Sequence, residues 1–153
     1  MKIISSILRA IDKIDKPKAV SAHCDVPCGV YEGDSAKWAA ETCYQLTKKL
    51  IEQKVPAADD AKGQLEYRNY VARSVQIKEE YAQICKEQVL ILWTDYFKPE
   101  HLVKHPDLHD LVWKTTKQCS TVKRSVSLEE CEKLKKIVDE VVHIFSEIKA
   151  SSK

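Results

Sequence analysis

His23, Cys24 and Cys28 place one imidazole and two thiols within six residues, in the stretch His23-Cys24-Asp25-Val26-Pro27-Cys28-Gly29-Val30-Tyr31. Nitrogen and sulfur donors of this kind suit a transition metal. So short a segment has no core of its own and folds around a metal only if the metal organises it. Val26-Pro27 imposes a turn-like backbone between the thiols, with Pro27 open to either peptide isomer. Gly29 lets the chain change direction without a side-chain clash. Three outcomes are open to these residues. A Cys-x-x-x-Cys pair can close as a disulfide in an oxidising compartment. His plus two Cys can hold a metal, although structural zinc wants four protein ligands and this segment offers three side chains. The third outcome is an unliganded loop.

The nonapeptide as a whole resembles the nickel hook at the mature N-terminus of nickel superoxide dismutases. The resemblance continues at Leu92-Trp93-Thr94-Asp95-Tyr96-Phe97-Lys98-Pro99-Glu100-His101, close to that family's L-W-S-D-Y-F-K-P-x-H, with a weaker echo at His105-Pro106-Asp107-Leu108-His109. It covers most of the chain after residue 22. It implies an enzyme that disproportionates superoxide to dioxygen and hydrogen peroxide through a Ni(II)/Ni(III) cycle, with one nickel ion per subunit of a homohexamer.

Hydrated nickel(II) is a poor redox centre because nickel(III) lies too high, and strong anionic donors correct this. Metal-bound thiols lose their protons, so the resemblance makes Cys24 and Cys28 thiolate ligands, joined by the backbone amide of Cys24. The fourth planar donor in the family is the α-amine of the hook histidine, here His23, whose imidazole binds axially. Tyr31 then covers the open axial face, and Tyr96 supports it from behind. Asp25 and Pro27 fix the hook's conformation. Asp95 and Lys98 belong to the surroundings, with Lys98 drawing the superoxide anion inward. Helix-end packing and solvation are the plain alternative for Tyr96, Asp95 and Lys98.

In the family a short pro-sequence is removed just before the hook histidine. Here that cut falls between Ala22 and His23, leaving 23–153 as the nickel superoxide dismutase domain, with the hook at 23–31 and a helical bundle at 35–149. A maturation protease is therefore an implied partner. The leader, residues 1–22, has small residues at its end, but its apolar patch is broken by Ser5, Ser6 and Arg9. It makes a poor secretory signal, and the expected location is cytoplasmic.

The elements that must position these residues read as helix. With 153 residues, 31% of them charged, and only three Gly and five Pro, the chain suits one all-α globular domain. No apolar run approaches the ~20 residues of a membrane span. The leader carries a charge of +3 and the rest −1, so no basic stripe points to nucleic acid. The first helix is expected to start after Asp34 or Ser35 as N-cap and to run to about Gln53, with a stripe of Ala39, Cys43, Leu46 and Leu50. A second, Gln64 to Phe97, carries Val71, Ser74, Ile77, Tyr81, Ile84, Gln88 and Ile91 at helical spacing and stops at Pro99.

A third helix opens near Pro106 and carries Leu108, Leu111, Val112 and Thr115. Ser127-Leu128-Glu129-Glu130 reads as a capping box for the fourth, whose stripe is Leu128, Cys131, Leu134, Val138, Val141, Phe145 and Ile148. The result is an antiparallel four-helix bundle with an N-terminal metal-binding hook. Cys43, Cys85, Cys119 and Cys131 are assigned to packing, and His101, His105, His109 and His143 to the surface or to caps.

One departure from the family stands out. Its well-known members support the axial imidazole with a Glu and an Arg, and spacing puts Ala39 and Tyr81 at those positions. Glu41 is two residues further on, turned about 200° around the helix. The rival to the enzyme reading is a non-enzymatic helical module, with Cys24 and Cys28 holding zinc or bonded to each other.

Overall fold

A computed structural model describes residues 30–151, and all but the first of these belong to one compact unit, Tyr31–Lys153. The leader and seven of the nine hook positions, 23–29, lie outside the described residues, His23, Cys24, Asp25, Pro27 and Cys28 among them. The regular elements of the described residues are all helical. Four long helices, α1 (Asp34–Glu52), α2 (Ala61–Ile91), α4 (Leu108–Arg124) and α5 (Leu128–Ser151), make the bundle. Around it α1 packs on α2, α2 on α4, α4 on α5 and α5 back on α1. Five residues in π-helical form, Leu92–Tyr96, extend α2, and a short α3 (Pro99–Lys104) precedes α4.

The ends differ from expectation in instructive ways. Neither Asp34 nor Ser35 caps α1. Gly33 occupies the N-cap position, and the Glu32 carboxylate takes the orphan donors, accepting from Asp34 N at 2.8 Å and Ser35 N at 3.2 Å. An anion there also suits the positive end of the helix dipole. Gly33 is required by closeness. A Cβ on it would come within 2.4 Å of Val142 Cγ1, on α5. At α5 only half of the capping box forms: the Ser127 hydroxyl accepts from Glu130 N at 3.3 Å. The Glu130 carboxylate accepts from Gln118 and Lys133 instead. Pro106 sits in a turn, two residues before α4 begins.

The α2 stripe is the clearest correction. The buried residues are Ser74, Lys78, Ala82, Cys85 and Val89, then Leu92. This row lies about one residue around from the expected one, and Ile77 is exposed. The cause is Lys78, which no count of apolar residues would put inside. It is 1% exposed, and its Nζ donates to the carbonyls of Val122 at 2.6 Å, Lys123 at 3.1 Å and Ser125 at 2.7 Å. These carbonyls lie at the C-terminus of α4, where Val122 O also accepts from Ser125 N at 3.4 Å, so a cation from a neighbouring helix caps it and meets its negative dipole end. Burial lowers the lysine's pKa, opposed by Cys131, Cys43 and Glu79 nearby. Lys78→Met keeps the stem but leaves the carbonyls without their donor, and is expected to cost about 2 kcal/mol of stability. Urea unfolding checks this; an unchanged midpoint would refute the capping role.

Elsewhere the core follows the expected pattern. On α5, Cys131, Leu134, Val138, Val141, Phe145 and Ile148 are buried, joined by Val142. On α1 the buried residues are small, namely Ala36, Ala39, Ala40, Cys43 and Thr47, which lets neighbouring helices approach closely. Leu46 and Leu50 are only half-buried. Among the described residues no helix is long and apolar enough to cross a membrane.

Candidate metal centre

The described part of the site is an aromatic cluster at the point where the hook motif joins the bundle. Tyr31, half-buried, meets Tyr96 edge to face with ring centres 5.4 Å apart. Tyr96 also packs on Phe145 of α5 at 4.7 Å and on Phe97 at 5.8 Å, and it stacks with His101 at 6.2 Å. Edge-to-face contacts at these separations are favourable.

Tyr96 reaches this place through the π turn. Phe97 N donates to Leu92 O at 2.9 Å, five residues back. The wider turn accommodates one extra residue, so the chain beyond it is rotated by about 100° from an unbroken α-helix. Leu92 can then stay in the core while Tyr96 turns toward α5. His101 closes the segment: its Nδ1 accepts from Lys98 N at 3.0 Å across the first turn of α3. Burial raises the pKa of the Tyr96 phenol, so at neutral pH it is a protonated hydrogen-bond donor.

The structure brings Tyr31 and Tyr96 together, and leaves Asp95 and Lys98 of the second motif further out. Asp95 is exposed, its carboxylate accepting from the Thr94 hydroxyl at 2.7 Å. Lys98 is exposed too, with Glu100 at 4.0 Å from its ammonium. Phe145 and Lys149 were not identified as site residues from the sequence. They are four apart on α5, which puts them on one face, but nothing local signals that this face meets Tyr31 and Tyr96. Ala39 is buried in the core, and Tyr81 packs against it. The Glu41 carboxylate is engaged elsewhere, with the Lys135 ammonium at 2.6 Å; Gln45 and then Lys135 hold it below the usual carboxylate range. Glu41 therefore faces the α5 surface, as its position around α1 suggests.

Among the described residues no group of three or more His, Cys, Asp and Glu side chains could hold a metal. The four cysteines there are buried free thiols. Burial pushes Cys43 up to about 12 and raises Cys131, so both stay protonated. Their sulfurs are also engaged: Cys43 donates to Lys78 O at 3.5 Å, and Cys131 shares a hydrogen bond with the Thr47 hydroxyl at 3.3 Å. The donor set that the sequence itself offers a thiophilic metal is Cys24 and Cys28 with His23 beside them. Two thiols, an imidazole and a potential amine are the strong donors that nickel needs.

The chain resembles known proteins over most of its length. The family model described as nickel-containing superoxide dismutase matches residues 18–149. The superoxide dismutase (Ni) of Streptomyces coelicolor is 36% identical over 140 residues, covering 91% of this chain and 98% of the relative. That of Streptomyces seoulensis matches to the same extent. A native nickel superoxide dismutase structure superposes with a TM-score of 0.72 at 35% identity, covering 83% of this chain and 99% of its own.

Proposed function

This chain belongs to the nickel-containing superoxide dismutases, and we propose that its nickel is held by His23, Cys24 and Cys28 once residues 1–22 are gone. It is a nickel-dependent oxidoreductase that disproportionates superoxide to dioxygen and hydrogen peroxide. Bound nickel supplies a centre that can accept an electron from one superoxide and return it to the next. The protein's part is to hold that centre and govern access to it.

Cys24 and Cys28 would provide thiolates, the Cys24 amide a further anionic donor, and His23 both its α-amine and its imidazole. The amine exists only after the Ala22–His23 bond is cut; until then that nitrogen belongs to a neutral amide, with no available lone pair. Cleavage by a maturation protease would thus create a ligand. Asp25 and Pro27 would set the hook's shape. Tyr31 and Tyr96 would screen the open face against larger molecules, with the protonated Tyr96 phenol able to donate to a small anion. Lys98 would add positive potential near the approach, weakened by Glu100, and Asp95 would belong to the surroundings of the turn that carries Tyr96.

The observation that carries this reading is the seating of Tyr31, the last residue of the hook motif, against Tyr96 of the second motif. Two segments far apart in sequence meet at one place. Trp38, 72% exposed, and Trp113, 55% exposed, are candidate contacts in the homohexamer we propose. The weak export character of the leader favours a cytoplasmic enzyme. Intact mass and metal analysis of the purified protein test the assignment. Loss of residues 1–22, one nickel per chain and an axial-nitrogen signal in the electron paramagnetic resonance spectrum are expected. Stoichiometric zinc, or a Cys24–Cys28 disulfide in the active protein, would overturn it.

A further inference from the structure

Tyr31 is the first residue of the compact unit Tyr31–Lys153. Its carbonyl oxygen accepts a hydrogen bond from Nζ of Lys149, in the last turn of α5 and 118 residues further along the chain. The same ammonium stands 5.2 Å from the centre of the Phe145 ring. Phe145 packs on Tyr96, and Tyr96 on Tyr31. The contacts close on themselves: Lys149 holds the backbone of Tyr31, Tyr96 holds its ring, and the two holders meet at Phe145.

A basic residue in the last turn suits the helix dipole. That accounts for the residue type and leaves its aim unexplained. A lysine serving only the dipole could extend into water, whereas this one is half-buried, over an aromatic face and on a backbone carbonyl. Both contacts favour the cation specifically. We infer that Lys149 is a positioning residue for the metal hook, clamping the anchor from which the hook extends. The inference rests on the assignment of nickel to His23, Cys24 and Cys28.

Lys149→Met keeps the aliphatic stem and removes the donor, while Lys149→Arg keeps charge and donor. In the full metal-free chain, Lys149→Met is expected to speed amide hydrogen exchange at residues 31–33 by about tenfold, with the rest of the bundle unchanged. In the processed, nickel-loaded chain it is expected to speed nickel dissociation by a similar factor, about tenfold. Lys149→Arg should restore both. Wild-type exchange at 31–33 in the Met variant would overturn the clamp, and so would a uniform loss of protection across all helices, which marks a merely structural residue. A processed wild-type chain that holds no nickel would sink the hook assignment itself, and this role with it, whatever the exchange rates show.

Discussion

Serine at either Cys24 or Cys28 is expected to abolish nickel retention and to lower the dismutation rate by well over a hundredfold. Groups that merely orient metal ligands cost about 10–100-fold when removed, and these two thiols are placed one step closer. A serine hydroxyl does not ionise at neutral pH, so the variant loses both the negative charge and the soft donor that nickel requires. The bundle should persist, since its buried core lies on α1, α2, α4 and α5 and in the π turn. Cys43→Ser makes the control. It puts a hydroxyl into the dry core beside Cys131 and Lys78, so it should lower the melting temperature while the folded fraction keeps its nickel. Pulse-radiolysis kinetics with metal analysis after dialysis measures both. A Cys24→Ser chain that retained one nickel and full activity would remove the proposed centre.

The second large effect concerns the amino terminus. A chain trimmed one residue early, so that Ala22 remains before His23, carries a free α-amine displaced by one residue. It is expected to lose at least about a hundredfold in activity, as does the uncut chain, because neither offers the His23 amine as a ligand. An α-amine with a pKa near about 8 gives up its proton to a metal readily, while an amide nitrogen in the same place does so only with difficulty. The two variants separate a ligand effect from steric obstruction by the leader. Should the Ala22-extended chain run at the rate of the chain beginning at His23, the amine is no ligand. If only the uncut chain is slow, the leader acts by blocking the site.

The helices were largely legible because their apolar faces repeat at helical spacing. On α5 every expected stripe residue except half-buried Leu128 is buried. The register of α2 was not legible, since its row runs through a lysine whose partners are carbonyls on another helix. No property of residues 74–92 taken alone identifies Lys78 as interior. The π turn and α3 were also missed. Each is a local departure that tertiary contacts maintain, with Leu92 held in the core and Tyr96 against Phe145.

For the site, residue types close together in sequence were readable, so the hook and second motif could be named. The clamp by Phe145 and Lys149 was not. It depends on which end of α5 lies beside Tyr31, and only the packed bundle determines that.

The interior cysteines have a consequence for the working life of such an enzyme. One of its products is a thiol oxidant. Cys43, Cys85, Cys119 and Cys131 are each no more than 1% exposed, sealed from anything that diffuses in solvent. Hydrogen peroxide released over many turnovers would find no sulfur to attack along the scaffold unless the bundle first opened. Ageing by self-generated oxidant should therefore leave the framework intact and begin outside the helical interior.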